Sequence, residues 1–180
     1  YRCLIANRGE IAVRIIRACR ELNIETVAIY AKGDENSLHV SLADQAICIG
    51  EANPLDSYLN IDRIISAAKV TESNAIHPGY GFLSESTNFA KAVEDNHIHF
   101  IGPSKTTMEM MGDKITARQT VKQAGVPVIP GSNDAVQSVD EIKLLAKEIG
   151  FPVVLKAASG GGGKGIRIVK EASQLDQALK

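Results

Sequence analysis

The chain has 180 residues, 44% of them hydrophobic and 23% charged, a balance that supports a packed core and excludes collagen-like repetition or global disorder. Its 20 Lys and Arg face 21 Asp and Glu, a net charge of −1, so no electrostatic footprint for nucleic acid or an anionic membrane is present. Every apolar run is far shorter than the ~18 residues of a membrane span.

Short apolar runs alternate with helical periods along the chain. Residues 3–6 predict a strand, and residues 9–22 an amphipathic helix through Ile11, Ile15, Cys19 and Leu22. Residues 26–30 read as a strand, 37–43 as a short helix and 46–49 as a strand. The helical period returns over 58–69 through Leu59, Ile61, Ile64, Ile65 and Ala68. A strand at 75–77 runs into a Pro-Gly turn, then a helix over 86–95 and a strand over 98–101. This βαβα order predicts a Rossmann-like, doubly wound, mostly parallel sheet over residues 1–103. Two linking helices follow within 104–130, near 104–111 and 113–124, with Gly125 and Pro127 ending the second. A helix over 138–149 and two strands over 151–157 and 165–170, joined by a glycine run, open a second domain from residue 131. A further helix starts at 171. The second unit is too short to close a core, so the chain is expected to be truncated within it. The start at Tyr1 rather than Met is read as a few residues missing upstream.

The N-terminus enters a strand at once without a signal-peptide layout. Cys3, Cys19 and Cys48 are widely spaced and odd in number, expected as buried thiols in a reducing cytoplasm rather than a disulfide frame.

Four places could carry chemistry. The first βα turn, Ala6-Asn7-Arg8-Gly9-Glu10, suits an anion at a helix N-terminus. It lacks the spaced glycines of a dinucleotide fingerprint, and Glu10 would repel a pyrophosphate. The stretch His77-Pro78-Gly79-Tyr80-Gly81-Phe82-Leu83-Ser84-Glu85 follows a strand, where open α/β sheets bind ligands. It is either a ligand loop or a structural turn in which Tyr80 and Phe82 pack. Ser159-Gly160-Gly161-Gly162-Gly163-Lys164-Gly165 departs from the P-loop pattern. A glycine-rich hairpin can still lay backbone N–H groups against phosphate oxygens, or serve as a flexible linker. Lys156, at the end of the apolar run 151–155, either snorkels or faces a ligand. Asp113 and Lys114 alone read as ordinary helix-start residues. His97 and His99, on one face of the predicted strand, lack a third ligand for a metal.

Taken in order, Ile5–Ala12, Ser57–Asn60, Ala75–Glu85, Phe100–Pro103, Met111–Lys114, Gly125–Gly131 and Phe151–Gly165 resemble the biotin carboxylase family of ATP-grasp enzymes across nearly the whole chain. The last stretch alone resembles ATP-grasp enzymes of the carbamoyl-phosphate synthetase type, and the Asn-Arg-Gly-Glu and His77–Glu85 stretches narrow it to biotin-dependent carboxylases. The resemblance implies a pre-ATP-grasp domain over 1–103 and the beginning of an ATP-grasp lid from 131. It implies that ATP and Mg²⁺ (or Mn²⁺) activate bicarbonate and that the carboxyl group passes to biotin on a carrier protein. Lys114, Lys156, Gly160, Gly161, Gly162, Gly163, Lys164 and Gly165 would bind ATP. His77, Gly79, Tyr80, Gly81 and Glu85 would form the biotin and bicarbonate side, and Arg17 and Glu21 a homodimer interface. The implied partners are a biotin carboxyl carrier protein and a carboxyltransferase.

The metal ligands, the bicarbonate arginine and the general base would lie beyond Lys180, so these residues alone are expected to be inactive. Within the family the acetyl-CoA carboxylase component of fatty acid synthesis leads, with a pyruvate or other acyl-CoA carboxylase as the alternative. The second alternative, of a different class, is a non-catalytic nucleotide-binding or dimerisation module, which fits these residues as they stand but not the retained Lys114, Lys156 and glycine loop. A purine-pathway amine ligase would not carry the His77–Glu85 stretch.

Overall fold

Eight helices and seven strands are defined among the described residues of the computed structural model, which are 1–112, 114–132, 136, 138–156 and 165–179, with Lys114 described by its backbone alone. The chain divides into two compact units, Tyr1–Glu109 and Met110–Lys180.

The first unit alternates β1 (Arg2–Ile5), α1 (Gly9–Glu21), β2 (Glu25–Ala31), α2 (Leu38–Leu42), β3 (Gln45–Gly50), α3 (Ile61–Val70), β4 (Ala75–His77), α4 (Thr87–Asp95) and β5 (His99–Phe100). Helix α5 (Lys105–Gly112) closes the series. The five strands lie in the order β3-β2-β1-β4-β5, every neighbour pair parallel. The chain starts in the middle, builds outward to β3, then returns across β1 to β4. The strand order therefore reverses between β1 and β4, and the carboxyl ends of strands at such a reversal are where open α/β sheets bind ligands.

Period-two alternation on β1 feeds two cores. Cys3 and Ile5 pack with Ala12, Ile15, Ile16 and Cys19 of α1. Leu4 and Ala6 turn the other way, into a larger cluster with Ile64 and Ala68 of α3 and Phe89 and Val93 of α4. Phe89 and Phe100 meet edge to face, their centroids 5.9 Å apart. The starts of α3 and α4 are capped by side chains: Asn60 accepts from the Arg63 N–H at 3.1 Å and Ser86 from the Phe89 N–H at 3.2 Å, each bond satisfying a donor that the first turn leaves free.

Three expectations are corrected, and the run before Lys156 resolves into an inner and an outer side. Helix α3 starts at Ile61 and not at residue 58; Asn60 caps it, and a 3₁₀ turn at Pro54–Asp56 precedes it. His97 does not share a strand face with His99, because it sits in a turn with φ 57° before β5 begins. Cys3 and Cys19 are buried, but Cys48 is exposed, since β3 is the sheet's outer strand. The apolar run before Lys156 is buried on one side only: Val153 is 8% exposed and Val154 52%.

The second unit contains α6 (Lys114–Gln123), α7 (Val139–Ile149), the antiparallel pair β6 (Val153–Lys156) and β7 (Ile166–Val169), a 3₁₀ turn and α8 (Leu175–Ala178). Ser138 caps α7 by accepting from the Glu141 N–H. Ala146, Val153, Val169 and Leu175 form a small core.

Candidate functional site

The carboxyl edge of the first sheet gathers the loops after β1, β2, β3 and β4. Asn7 follows β1 and is only 3% exposed. Its Nδ2 donates to the Pro78 and Tyr80 carbonyls, both at 2.8 Å, and its Oδ1 accepts from the Arg8 N–H at 2.9 Å. One amide thus ties the loop after β4 to the loop after β1, across the reversal of strand order. Gly79 makes the close approach feasible: it has φ +66°, and a Cβ there would lie 2.8 Å from Asn7 Nδ2.

His77 ends β4 half-buried, and its Nδ1 accepts from the Gly79 N–H at 3.0 Å. A ring that accepts at Nδ1 is neutral, with its proton on Nε2. Burial agrees, holding the His77 pKa below its ordinary value. Beyond Gly79 the two aromatics part company. Tyr80 stands 59% exposed, whereas Phe82 turns inward and stacks on Tyr58 with centroids 5.2 Å apart and planes 6° from parallel. Glu85 is exposed at the far end of the loop.

Arg8, Asp34 and Tyr58 form a charged cluster beside the loop that sequence reasoning missed. The Tyr58 hydroxyl donates to Asp34 Oδ2 at 2.6 Å and accepts from the Ala31 N–H at 3.0 Å. Arg8 Nη1 donates to the same Asp34 oxygen at 3.1 Å. Its guanidinium lies 5.1 Å from the Tyr58 ring centroid and 5.7 Å from that of Phe82. Burial works to raise the Asp34 pKa, but the hydrogen bonds from Tyr58 and Arg8 and the Arg8 charge outweigh it and hold the carboxyl below its ordinary value. Burial, followed by the bond to Asp34, pushes the Tyr58 hydroxyl pKa upward. The signal available in sequence was a lone aromatic ahead of an Asn cap, with Asn-Arg at the end of a central strand.

Arg17 is exposed on α1 and lines, with Glu10, Arg14 and Leu38, an open groove of about 640 Å³ between α1 and α2. Glu21 is exposed at the end of α1. In the second unit Lys156 is exposed at the end of β6, and Gly165 precedes β7. Gly160, Gly161, Gly162, Gly163 and Lys164 lie outside the described residues, as does Asp113. The antiparallel β6–β7 pair matches the predicted glycine-loop hairpin on both flanks. No group of three or more metal-ligating His, Cys, Asp or Glu side chains occurs among the described residues, and no helix among them is long and apolar enough to cross a membrane.

Residues 1–108 match the family model of the biotin carboxylase N-terminal domain. The chain belongs to the biotin carboxylase family. Residues 113–180 of this biotin carboxylase family member match the ATP-binding domain of the carbamoyl-phosphate synthase L chain. Biotin carboxylase 1 of Bacillus subtilis is 55% identical over 98% of the chain, and the chain spans 39% of that relative's length. The biotin carboxylase domain dimer of Hydrogenobacter thermophilus 2-oxoglutarate carboxylase, solved with MgADP, ADP and bicarbonate, is 52% identical with a TM-score of 0.86. That likeness covers 98% of this chain and 39% of the other. The biotin carboxylase subunit of a pyruvate carboxylase is 54% identical with a TM-score of 0.74, covering 99% of this chain and 39% of that one.

Proposed function

We propose that the full-length protein carrying this chain uses ATP and bicarbonate to carboxylate biotin on a carrier protein, releasing ADP and phosphate. The observation that supports this reading most is the likeness, over nearly the whole chain, to a biotin carboxylase domain that holds MgADP and bicarbonate. ATP would supply the energy to activate bicarbonate, and the groups in this chain would bind and orient. Lys156, an exposed cation at the end of β6, is the phosphate contact, with Lys114 and the glycine loop Gly160 to Gly165 as its partners. No residue here is assigned to the Mg²⁺ that accompanies ATP. The loop after β4 is the biotin and bicarbonate side, with His77, Gly79, Tyr80, Gly81 and Glu85 on it. Its position at the carboxyl ends of parallel strands supports that role. Arg17 and Glu21, exposed on α1, are proposed to meet a second copy in a homodimer, and a biotin carboxyl carrier protein and a carboxyltransferase complete the partners. The downstream acceptor is proposed to be acetyl-CoA, feeding fatty acid synthesis.

A charge-assisted hydrogen bond contributes roughly 1.5–3 kcal/mol. Lys156→Ala in the full-length enzyme should therefore raise the KM for ATP about ten-fold or more. Lys156→Arg should not fully restore it, because a planar guanidinium and a compact ammonium differ in shape. Unaltered ATP kinetics in Lys156→Ala would remove the assignment. Product analysis with acetyl-CoA, pyruvate and 2-oxoglutarate as competing acceptors distinguishes the downstream partners.

A further inference from the structure

Each of the first four βα connections contributes one side chain to a single cluster. Arg8 lies between β1 and α1, Asp34 between β2 and α2, Tyr58 between β3 and α3, and Phe82 between β4 and α4. Asp34 is the hub, taking the Tyr58 hydroxyl proton and the Arg8 guanidinium on one carboxylate oxygen. Arg8 covers both members of the Tyr58–Phe82 stack. Phe82 is the inward half of the loop whose outward half is Tyr80.

We propose that Arg8, Asp34 and Tyr58 are positioning residues that clamp Phe82 and so hold the His77–Tyr80 face of the loop ready for the carboxyl acceptor. The proposal rests on the reading of that loop as the biotin side.

The physical argument runs through the order of attachment. Tyr58 is buried at the base, fixed by the Ala31 N–H. Its ring offers a flat face on which Phe82 stacks. The guanidinium over the two rings adds a cation–π attraction, and Asp34 keeps the guanidinium from swinging into solvent. Loops built over a scaffold lose activity when the supporting shell loosens by about 1 Å. Asn7 grips the loop at Pro78 and Tyr80. The clamp grips two residues later, at Phe82, so the exposed Tyr80 is held on both sides.

Four variants of the full-length protein test this. Tyr58→Phe keeps the ring stack and deletes the hydroxyl. Asp34→Asn removes the charge that holds Arg8. Ile16→Val, in the α1 core on the opposite face of the sheet, is a stability control. Hydrogen exchange of residues 78–84 is followed together with steady-state kinetics, using free biotin as the acceptor.

The expected result is faster exchange in both clamp variants and a KM for biotin raised about ten-fold, with the KM for ATP within about two-fold of the parent. The Ile16→Val control should change neither loop exchange nor the biotin KM, and Arg8→Lys should fail to substitute for arginine's planar group. Unchanged loop exchange in Tyr58→Phe and Asp34→Asn overturns the clamp. Faster exchange with an unchanged biotin KM overturns its positioning role. Faster exchange in the clamp variants, together with a parent protein that shows no biotin-dependent turnover, leaves the clamp standing and overturns the functional reading instead.

Discussion

Replacing Gly79 with alanine tests whether Asn7 shapes the loop after β4 from beneath. Gly79 and Gly81 have nearly the same left-handed backbone, φ +66° and +67°. That conformation costs an L-residue about 1–2 kcal/mol at either position, so it cancels between the two substitutions. Their surroundings differ. A Cβ on Gly79 would stand 2.8 Å from Asn7 Nδ2 and 3.2 Å from its Cβ and Cγ, whereas one on Gly81 meets nothing within 4 Å. Asn7 is buried and cannot swing aside freely. Displacing it strains or breaks its bonds to the Pro78 and Tyr80 carbonyls, about 1 kcal/mol each, and strands a buried polar group at about 1–3 kcal/mol more. Gly79→Ala should therefore destabilise the first unit by about 3–5 kcal/mol more than Gly81→Ala, a gap of roughly 12–20 °C in Tm for a unit of this size. Thermal unfolding followed by circular dichroism measures the gap. Repeating both substitutions in an Asn7→Ala background closes a double-mutant cycle, and most of the gap should vanish there. Equal melting temperatures for the two single variants, or a gap that survives without Asn7, would refute the bracing argument.

Two further predictions concern titration. Burial, then the neighbouring Cys19, pushes the Cys3 thiol pKa up to about 12, and burial likewise raises Cys19; a thiol-specific reagent at pH 8 should modify the exposed Cys48 at once and the other two only on unfolding, and rapid reaction of all three would contradict the packing of β1 on α1. Burial holds His39 and His77 below their ordinary value of 6.5, so the unfolded chain binds protons there that the folded chain resists. Their contribution to stability is complete above about pH 6.5 and is lost as pH falls toward the lower folded values. Asp34 is likewise depressed and adds a second loss beginning near its ordinary 3.8. Melting temperatures measured from pH 8 to pH 4 should fall below pH 6.5, and a rise over that interval would contradict the neutral His77 that accepts from Gly79.

The periodic parts of the fold were legible because their reasons are local. Ile11, Ile15 and Cys19 mark the buried side of α1 by spacing alone, and the Ala75–His77 strand stands where the apolar run and the Pro-Gly turn put it. Tyr58 was drawn into α3 because Leu59, Ile61 and Ile64 continue its spacing. What keeps it out is the Asn60 cap and a hydroxyl bonded to residues 24 and 27 positions upstream. No window of sequence discloses such a bond. The same limit explains the site. The loop at His77–Glu85 stood out by composition, but its two aromatics looked alike until Phe82 had Tyr58 to stack on. Arg8 looked like half of an anion turn until the sheet order placed Asp34 and Phe82 beside it.

The loop's grip has a consequence for how the surface could diversify. Asn7 binds Pro78 and Tyr80 through their carbonyl oxygens, atoms that every amino acid supplies. The curvature of the loop is thereby indifferent to what residue 80 presents outward. Shape and surface chemistry are carried by different atoms, so exchanging the exposed ring for another side chain changes what the loop presents without redrawing the backbone that displays it.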